Sequence, residues 1–238
     1  MMYKERSSSN YLFFRFPSQY LLILIPFILG ITGYFFETKS TDATNANVSS
    51  IIIENQYESI STFLSLSKLM FAIICAFFIT YRWTVINKDG SYGYFLTQGV
   101  NRDKFFIRSA GVFYLTGILG IILGIFTLNY MGGMHLSMST LFKIVLLTLS
   151  STLLIISISV LLGEVLSLPE LSSFIVILTF GLINNIDERE NSFLFKVLRS
   201  EQLFTSNSIL VPFVLSFGLG LILIIFAFFF HKKQEVEL

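Results

Sequence analysis

Between Ala110 and Tyr130 the sequence carries no charged residue. A helix needs ~20 predominantly apolar residues to cross the hydrocarbon core of a bilayer, so this run is long enough to span a membrane. Further apolar segments precede and follow it, and charged residues make up only 13% of the chain, against about 25% in a typical soluble domain. The sequence therefore predicts an all-α integral membrane protein.

The apolar segments predict six transmembrane helices in a single domain that comprises residues 1–238. The predicted spans are residues 18–36, 65–86, 110–130, 141–163, 171–186 and 209–230. Residues 1–17 combine aromatic side chains with Arg15, which is typical of an interfacial segment. We interpret them as a cytoplasmic arm, and residues 231–238 as a cytoplasmic tail.

The distribution of lysine and arginine predicts the orientation, because these residues are enriched on the cytoplasmic side of a membrane. With the N-terminus inside, ten of the 16 basic residues fall in inner segments and six in outer ones. An even number of spans also places both termini on one side. We therefore expect both termini in the cytoplasm of a multi-pass protein of the cell membrane, in contact with lipid and with no nucleic-acid partner.

The connection between the fifth and sixth spans is expected to hold an amphipathic outer segment. Its apolar residues recur at helical spacing among charges, at Phe193, Leu194, Val197, Leu198 and Leu203. On the inner side, the connection between the fourth and fifth spans carries Glu164 and Glu170. We interpret these two carboxylates as solvated, with contact to a partner protein as the less favoured alternative.

Motifs for chemistry on this chain are missing from the sequence. It contains no glycine-rich phosphate loop ending in Gly-Lys-Ser/Thr, no paired-histidine zinc motif and no serine-elbow motif. The sequence therefore predicts a protein that is not an enzyme. In the third predicted span, Gly120 and Gly124 have the spacing of a close helix contact, and the hydroxyls of the fourth span are interpreted as hydrogen-bonding groups between helices.

The cytoplasmic connection between the second and third spans is glycine-punctuated and basic. Gly90 and Ser91 are expected to end the second helix and to cap a short amphipathic helix. Tyr92, Phe95 and Leu96 share one face of that helix, and Gly99 ends it. Such an element either transmits force from a soluble partner or merely fixes the topology by its basic residues.

A resemblance favours the first of these readings. The pattern is similar to that of the membrane subunits of type 2 ABC transporters, at Asp89, Gly90, Ser91, Leu96, Thr97, Gly99, Val100, Arg102, Phe105 and Arg108. The chain departs from this family at Gly99, where proline is frequent, and at Arg108, where lysine is more common. The resemblance covers essentially the whole chain, because the six spans and the outer segment also match.

This resemblance implies a permease subunit of an ATP-driven exporter. Two such subunits, identical or different, would pair in the membrane, and each would bind a separate ABC ATP-binding subunit that holds ATP and Mg. The second-to-third connection would be the coupling helix that docks on this ATPase, with Phe95 on its apolar face. No cofactor is expected in the chain itself.

Two alternatives remain from the residues alone. Thioether and imidazole ligands suit Cu(I), and a cluster of them lies at the outer end of the third span, at Met131, Met134, His135 and Met138. A copper-handling permease is therefore an alternative to a turn that is lined with flexible apolar side chains. The second alternative is a membrane anchor subunit of a larger complex that transports nothing.

Overall fold

The computed structural model describes residues 18–41, 48–81, 84, 102–131, 136–166, 168–186, 193–206 and 208–233. All regular structure in this part of the chain is helical, as predicted. The α-helices are α1 (Ser18–Thr41), α2 (Val48–Cys75), α3 (Arg102–Met131), α4 (Met138–Val165), α5 (Pro169–Ile186), α6 (Phe193–Leu198) and α7 (Leu210–Lys233).

Two further helical turns extend this framework. A π-helical turn, Ala76–Tyr81, continues α2 without a break, and a 3₁₀ turn, Ser200–Thr205, follows α6. Arg199 separates α6 from the 3₁₀ turn with a non-helical φ of −120° and ψ of 30°. The outer segment predicted from residues 193–203 is therefore two short helical pieces, in which Val197, Leu198 and Leu203 are buried and Phe193 and Leu194 are exposed.

Four helical stretches are long and apolar enough to cross a membrane, which supports the predicted membrane class. They are Tyr57–Tyr81, Phe106–Tyr130, Met138–Val165 and Leu210–Lys233. Two shorter apolar stretches, Tyr20–Ile31 and Pro169–Gly181, lie in α1 and α5. Two helix starts have local explanations. Ser137 caps α4 by accepting a hydrogen bond from the Thr140 backbone N–H at 3.2 Å. Pro169 begins α5, at a position where the backbone N–H that proline lacks is not needed.

Helix α2 begins well before the second predicted span. It starts at Val48, whereas the apolar pattern places the span at 65–86. The residues between are mainly polar but include no proline or glycine, so helical structure continues through them. Likewise α3 starts at Arg102 rather than at Ala110, because hydropathy marks where a helix enters apolar surroundings and not where its hydrogen bonding begins.

Interhelical contacts define the direction of each long helix. Helices α2 and α4 run parallel, since Thr80 Oγ1 donates to the Ser159 carbonyl at 3.0 Å and Thr84 Oγ1 to the Gly163 carbonyl at 3.4 Å. Helix α5 runs antiparallel to α2, because Lys68 lies near Phe180 and the Ser173 hydroxyl donates to the Ala76 carbonyl.

The same reasoning applies to the remaining long helices. Helix α7 runs parallel to α4, with Gly220 against Leu153 and His231 against Glu164. Helix α3 is antiparallel to α2, with Gly117 against Phe71 and Gly124 against Phe63, and it runs parallel to α1. The six long helices in the described part of the chain therefore alternate in direction along the sequence.

Helix α4 lies at the centre of the bundle. Of its most apolar 18-residue window, 67% is buried, against 17% for that of α7. Its hydroxyl groups do not join helices in the way the sequence suggested: Ser150, Ser151, Thr152 and Ser157 donate to carbonyls of their own helix. A hydroxyl in an apolar helix is satisfied most simply by the carbonyl three or four residues earlier.

Two glycines allow α1 and α3 to approach closely. A Cβ added to Gly120 would lie 2.0 Å from the Leu22 carbonyl oxygen, and one added to Gly124 would lie 2.6 Å from the Pro26 carbonyl oxygen. Both distances are far below van der Waals contact. These are the two glycines of the sequence motif, and only a residue without a side chain fits this contact.

Candidate functional site

Ionisable side chains collect at the two ends of α4. Lys143 lies in its first two turns and Glu164 in its last turn. These two residues are about 30 Å apart along the helix axis at ~1.5 Å per residue, which is about the thickness of the hydrocarbon core. We call the groups around them the Lys68 cluster (Ser65, Ser67, Lys68, Lys143, Arg199, Ser200, Glu201 and Gln202) and the His231 cluster (Asp103, Phe106, Glu164, His231 and Lys232).

A buried ion pair forms the centre of the Lys68 cluster. Lys68 Nζ donates to both carboxylate oxygens of Glu201, each at 2.8 Å. The exposed fraction is 5% for Lys68 and 2% for Glu201. Lys68 belongs to α2 and Glu201 to the 3₁₀ turn, so the pair fastens the segment between α5 and α7 to a membrane-length helix.

Two more polar contacts attach the 3₁₀ turn to its neighbours. The Gln202 side-chain amide donates to the Ser65 hydroxyl, one helical turn from Lys68. On the other side, Lys143 Nζ donates to the Ser206 carbonyl oxygen at 3.2 Å. The turn is thereby held against both α2 and α4.

Aromatic rings and unsatisfied hydroxyls complete this cluster. Lys68 Nζ lies 5.9 Å from the centre of the Phe180 ring, and the Arg199 guanidinium lies 5.0 Å from that of Phe195. Within the described residues, the Ser67 and Ser200 hydroxyls are buried without a hydrogen-bond partner. Each is the sequence neighbour of one member of the ion pair. The cluster therefore offers hydrogen-bonding capacity that the described side chains do not use.

The His231 cluster joins the N-terminal end of α3 to the C-terminal ends of α4 and α7. His231 Nδ1 lies 2.6 Å from Glu164 Oε1, and the ring of Phe106 lies 4.9 Å from the imidazole. Beside this buried group, Lys232 Nζ is 3.7 Å from Asp103 Oδ2 at the surface. The expectation that Glu164 is solvated is wrong, because its carboxylate is buried against His231; Glu170 is exposed.

Thr84 adds a further polar contact near this end. Its hydroxyl donates to the Thr80 carbonyl at 2.8 Å and lies 3.2 Å from the Ser172 hydroxyl of α5. Its other neighbour, Gly163, is next to Glu164 in α4. Thr84 and the start of α3 at Arg102 therefore lie at the same end of the bundle, beside the His231 cluster.

Most of the residues that the sequence analysis selected lie outside the described part of the chain. This holds for Asp89, Gly90, Ser91, Phe95, Leu96, Thr97, Gly99 and Val100, and for Met134 and His135. The backbone of Arg102 begins α3, and that of Met131 ends it. Met138 has an 83% exposed side chain at the start of α4.

Metal ligands do not cluster in the part of the chain that the structure describes. No group of three or more His, Cys, Asp or Glu side chains is arranged there to hold a metal ion. The polar clusters consist instead of ion pairs and hydrogen bonds between helices.

Sequence reasoning missed the Lys68–Glu201 pair. The two residues are 133 positions apart, and no local pattern links them. A signal was nonetheless present, since Lys68 precedes an uncharged run and an ionisable residue within an apolar helix marks a functional position by default.

No protein-family model matches this chain, and neither does any curated protein sequence.

Proposed function

We propose that this chain is the membrane-spanning permease subunit of an ATP-driven exporter of the type 2 ABC class. In this proposal α1, α2, α3, α4, α5 and α7 are six transmembrane helices with both termini in the cytoplasm. The alternating helix directions support this arrangement. The His231 cluster then lies at the cytoplasmic end, and the Lys68 cluster at the outer end.

One observation carries the proposal: the segment with the permease motif is attached at both of its ends to the same rigid end of the bundle. Thr84 precedes the segment and is hydrogen-bonded toward α4 and α5. Asp103 follows it and pairs with Lys232 of α7, next to the buried His231–Glu164 contact. Force applied to residues 85–101 therefore reaches five long helices: α2 and α3 along the chain, and α4, α5 and α7 through these contacts.

The mechanism follows from this attachment. The segment of residues 85–101 docks on a separate ATP-binding subunit. Closure of two such subunits pushes the corresponding segments of two paired permeases together. Because Thr84 and Asp103 are fixed to the bundle, the push tilts α2 and α3 instead of bending a loose loop. A path for cargo then opens at the interface between the two permeases, while this chain performs no covalent chemistry.

Affinity purification from native membranes tests the partner. The tagged full-length chain is expected to co-purify with an ATPase that carries a phosphate-binding loop. Combined Phe95→Ala and Arg102→Glu substitutions should remove this ATPase, since they change the apolar face and the charge of the proposed docking helix. Lys233→Glu is the matched control, because it reverses an exposed charge at the same end of the bundle.

Two results would contradict the proposal. Co-purification of other membrane subunits without an ATPase would indicate an anchor subunit. The second is retention of the ATPase after residues 85–101 are replaced by an unrelated basic linker. This would show that the segment only fixes the topology by its basic residues.

Orientation has an independent test. Single cysteines at Thr205 and Lys233, both exposed, should react with a membrane-impermeant thiol reagent from opposite sides of the membrane. In intact cells Thr205→Cys should be labelled and Lys233→Cys protected. The reverse pattern would invert the topology.

A further inference from the structure

Lys68 is a buried amine within an apolar helix, and its charge must be matched by an anion. Burying an ammonium group is unfavourable unless an opposite charge and hydrogen bonds accompany it. Here the anion is Glu201, which comes from a short connecting segment and not from another membrane-length helix. The carboxylate of Glu201 reaches Lys68 only while the 3₁₀ turn lies against α2.

The Lys68–Glu201 pair can be exchanged at low energetic cost. A buried ion pair adds little net stability, although removal of only one partner is strongly unfavourable. A second anion that meets Lys68 as Glu201 leaves therefore keeps the amine compensated throughout. The Lys68 site is thus suited to an exchange between an internal carboxylate and an external one.

The surroundings of the pair favour an anion over a cation. Lys143 and Arg199 add two positive charges at the same end of the bundle, and Glu201 is the only carboxylate that the described residues bury there. Ser67 and Ser200, the sequence neighbours of the pair, have buried hydroxyls that lack partners among the described residues. Hydroxyl donors beside an amine are a common combination for phosphate and carboxylate groups.

Apolar side chains lie near this polar site and on the element that leads to it. The ring centre of Phe180 is 5.9 Å from the Lys68 amine. Phe193 and Leu194, in the helix directly before the 3₁₀ turn, are exposed. A ligand with a charged group at Lys68 would therefore have apolar side chains of α5 and α6 available for an apolar chain.

We propose that Lys68 binds the phosphate or carboxylate group of an anionic amphiphile, and that Glu201 occupies this position in the closed state. As the cargo site of an exporter, this assignment rests on the proposed function, but the binding itself requires no ATPase. Displacement of Glu201 by the ligand releases the 3₁₀ turn from α2 and opens the site toward the bilayer.

Native mass spectrometry of the full-length chain from phosphatidylcholine nanodiscs tests the site with phosphatidylglycerol as the probe. The unaltered chain should retain phosphatidylglycerol over phosphatidylcholine. Glu201→Gln should raise this retention roughly tenfold, because it removes the competing carboxylate. Lys68→Gln should reduce it to the phosphatidylcholine level, and Lys68→Arg should preserve it.

The two charge variants thus move in opposite directions. The double variant separates a binding site from a general charge effect, because its net charge equals that of the unaltered chain. The double variant Lys68→Gln/Glu201→Gln has no buried charge at this position and should bind as weakly as Lys68→Gln alone. It also keeps the test valid if Glu201→Gln fails to fold. Glu58→Gln is the matched control, because Glu58 is exposed on α2, and it should not change retention by more than about twofold.

Inorganic phosphate distinguishes the two sources of the anion. If millimolar phosphate displaces phosphatidylglycerol from the unaltered chain but not from Lys68→Gln, the site takes the free anion as well as the headgroup. If phosphate has no effect, the apolar chain of the lipid is required. Equal retention in the unaltered chain, Glu201→Gln and Lys68→Gln would overturn the proposal, whether or not an ATPase co-purifies.

Discussion

His231 Nδ1 lies 2.6 Å from Glu164 Oε1, and this contact joins the last turn of α7 to the last turn of α4. Both side chains are fully buried, although each is at the end of an apolar helix, where a charged residue would ordinarily face water. The contact therefore fixes the relative position of two parallel helices at the end of the bundle where Thr84 and the start of α3 lie.

Loss of the imidazole should destabilise the protein measurably. We expect His231→Leu to lower the free energy of unfolding by about 1–3 kcal/mol, because a buried carboxylate that loses a hydrogen-bond partner remains desolvated. Lys232→Gln is the control, since it breaks a surface pair with Asp103 and should cost less than about 1 kcal/mol. Thermal unfolding of the purified protein in detergent measures both, and equal effects of the two variants would contradict this reading.

The addition of a single methyl group should destabilise the contact between α1 and α3. In Gly120→Ala the new Cβ meets the Leu22 carbonyl oxygen at 2.0 Å, so the helices must separate, at a cost of about 1–3 kcal/mol. Gly218→Ala in α7 meets nothing within 4 Å and should stabilise the helix by about 0.5–1 kcal/mol. A rise in the midpoint of thermal unfolding for Gly120→Ala would show that this packing is wrong.

A cross-link can test whether the 3₁₀ turn lies against α2. Ser65 and Gln202 are hydrogen-bonded through their side chains. The length of the glutamine side chain separates their Cβ atoms by more than a disulfide spans, so Ser65→Cys/Gln202→Cys should be joined by a short bifunctional thiol reagent with a reducible link. Cys75 is the single cysteine of the sequence and is buried, and it is replaced by alanine in the background.

Thr62→Cys/Gln202→Cys is the matched control for this cross-link, because Thr62 is exposed on α2 and should remain unlinked. Because the proposed anion exchange moves the 3₁₀ turn away from α2, the cross-linked Ser65–Gln202 variant retains its ATPase partner but transports no cargo until the link is reduced. Cross-linking without any effect on transport would show that the 3₁₀ turn does not move during the cycle.

The hydroxyl of Thr84 should contribute more to the free energy of unfolding than that of Thr127 in α3. Thr84→Val removes contacts with α4 and α5 and is expected to cost about 1 kcal/mol. Thr127→Val removes only a bond to its own helix at Leu123 and should be nearly neutral. Urea or thermal unfolding of both variants makes the comparison, and a larger loss for Thr127→Val would reverse the assignment of Thr84.

The helical membrane class was predictable because hydropathy is additive along the chain. The uncharged run at 110–130 alone predicts a spanning helix, and the structure has a helix of sufficient length and hydropathy there, Phe106–Tyr130. The early start of α2 at Val48 was not predictable in the same way. Its first turns mix the apolar residues Ile51 to Ile53 with the polar residues Glu54, Asn55 and Gln56. Such a mixed stretch can be helical without the long apolar run by which hydropathy identifies a span.

The candidate site was less accessible to sequence reasoning than the fold. Lys68 was recognisable in the sequence as a charged residue next to a long apolar run. Glu201 was not, because it is one of several acidic residues in the polar connection between α5 and α7. Only the break at Arg199, where α6 ends and the 3₁₀ turn begins, directs the Glu201 carboxylate inward. Long-range pairs of this kind depend on packing between distant segments, which a single sequence does not encode locally.

The π-helical turn Ala76–Tyr81 continues α2, which carries Lys68, and precedes Thr84 in the chain. A π turn contains one residue more than the α-helical turn it replaces, and one residue corresponds to a rotation of about 100° around the helix axis. Deletion of a single residue here would therefore leave Lys68 facing Glu201 while turning Thr84 away from Gly163 and Ser172. The direction in which Thr84 points relative to Lys68 therefore depends on this one extra residue. The contacts of Thr84 can change in this way while the Lys68–Glu201 contact stays the same.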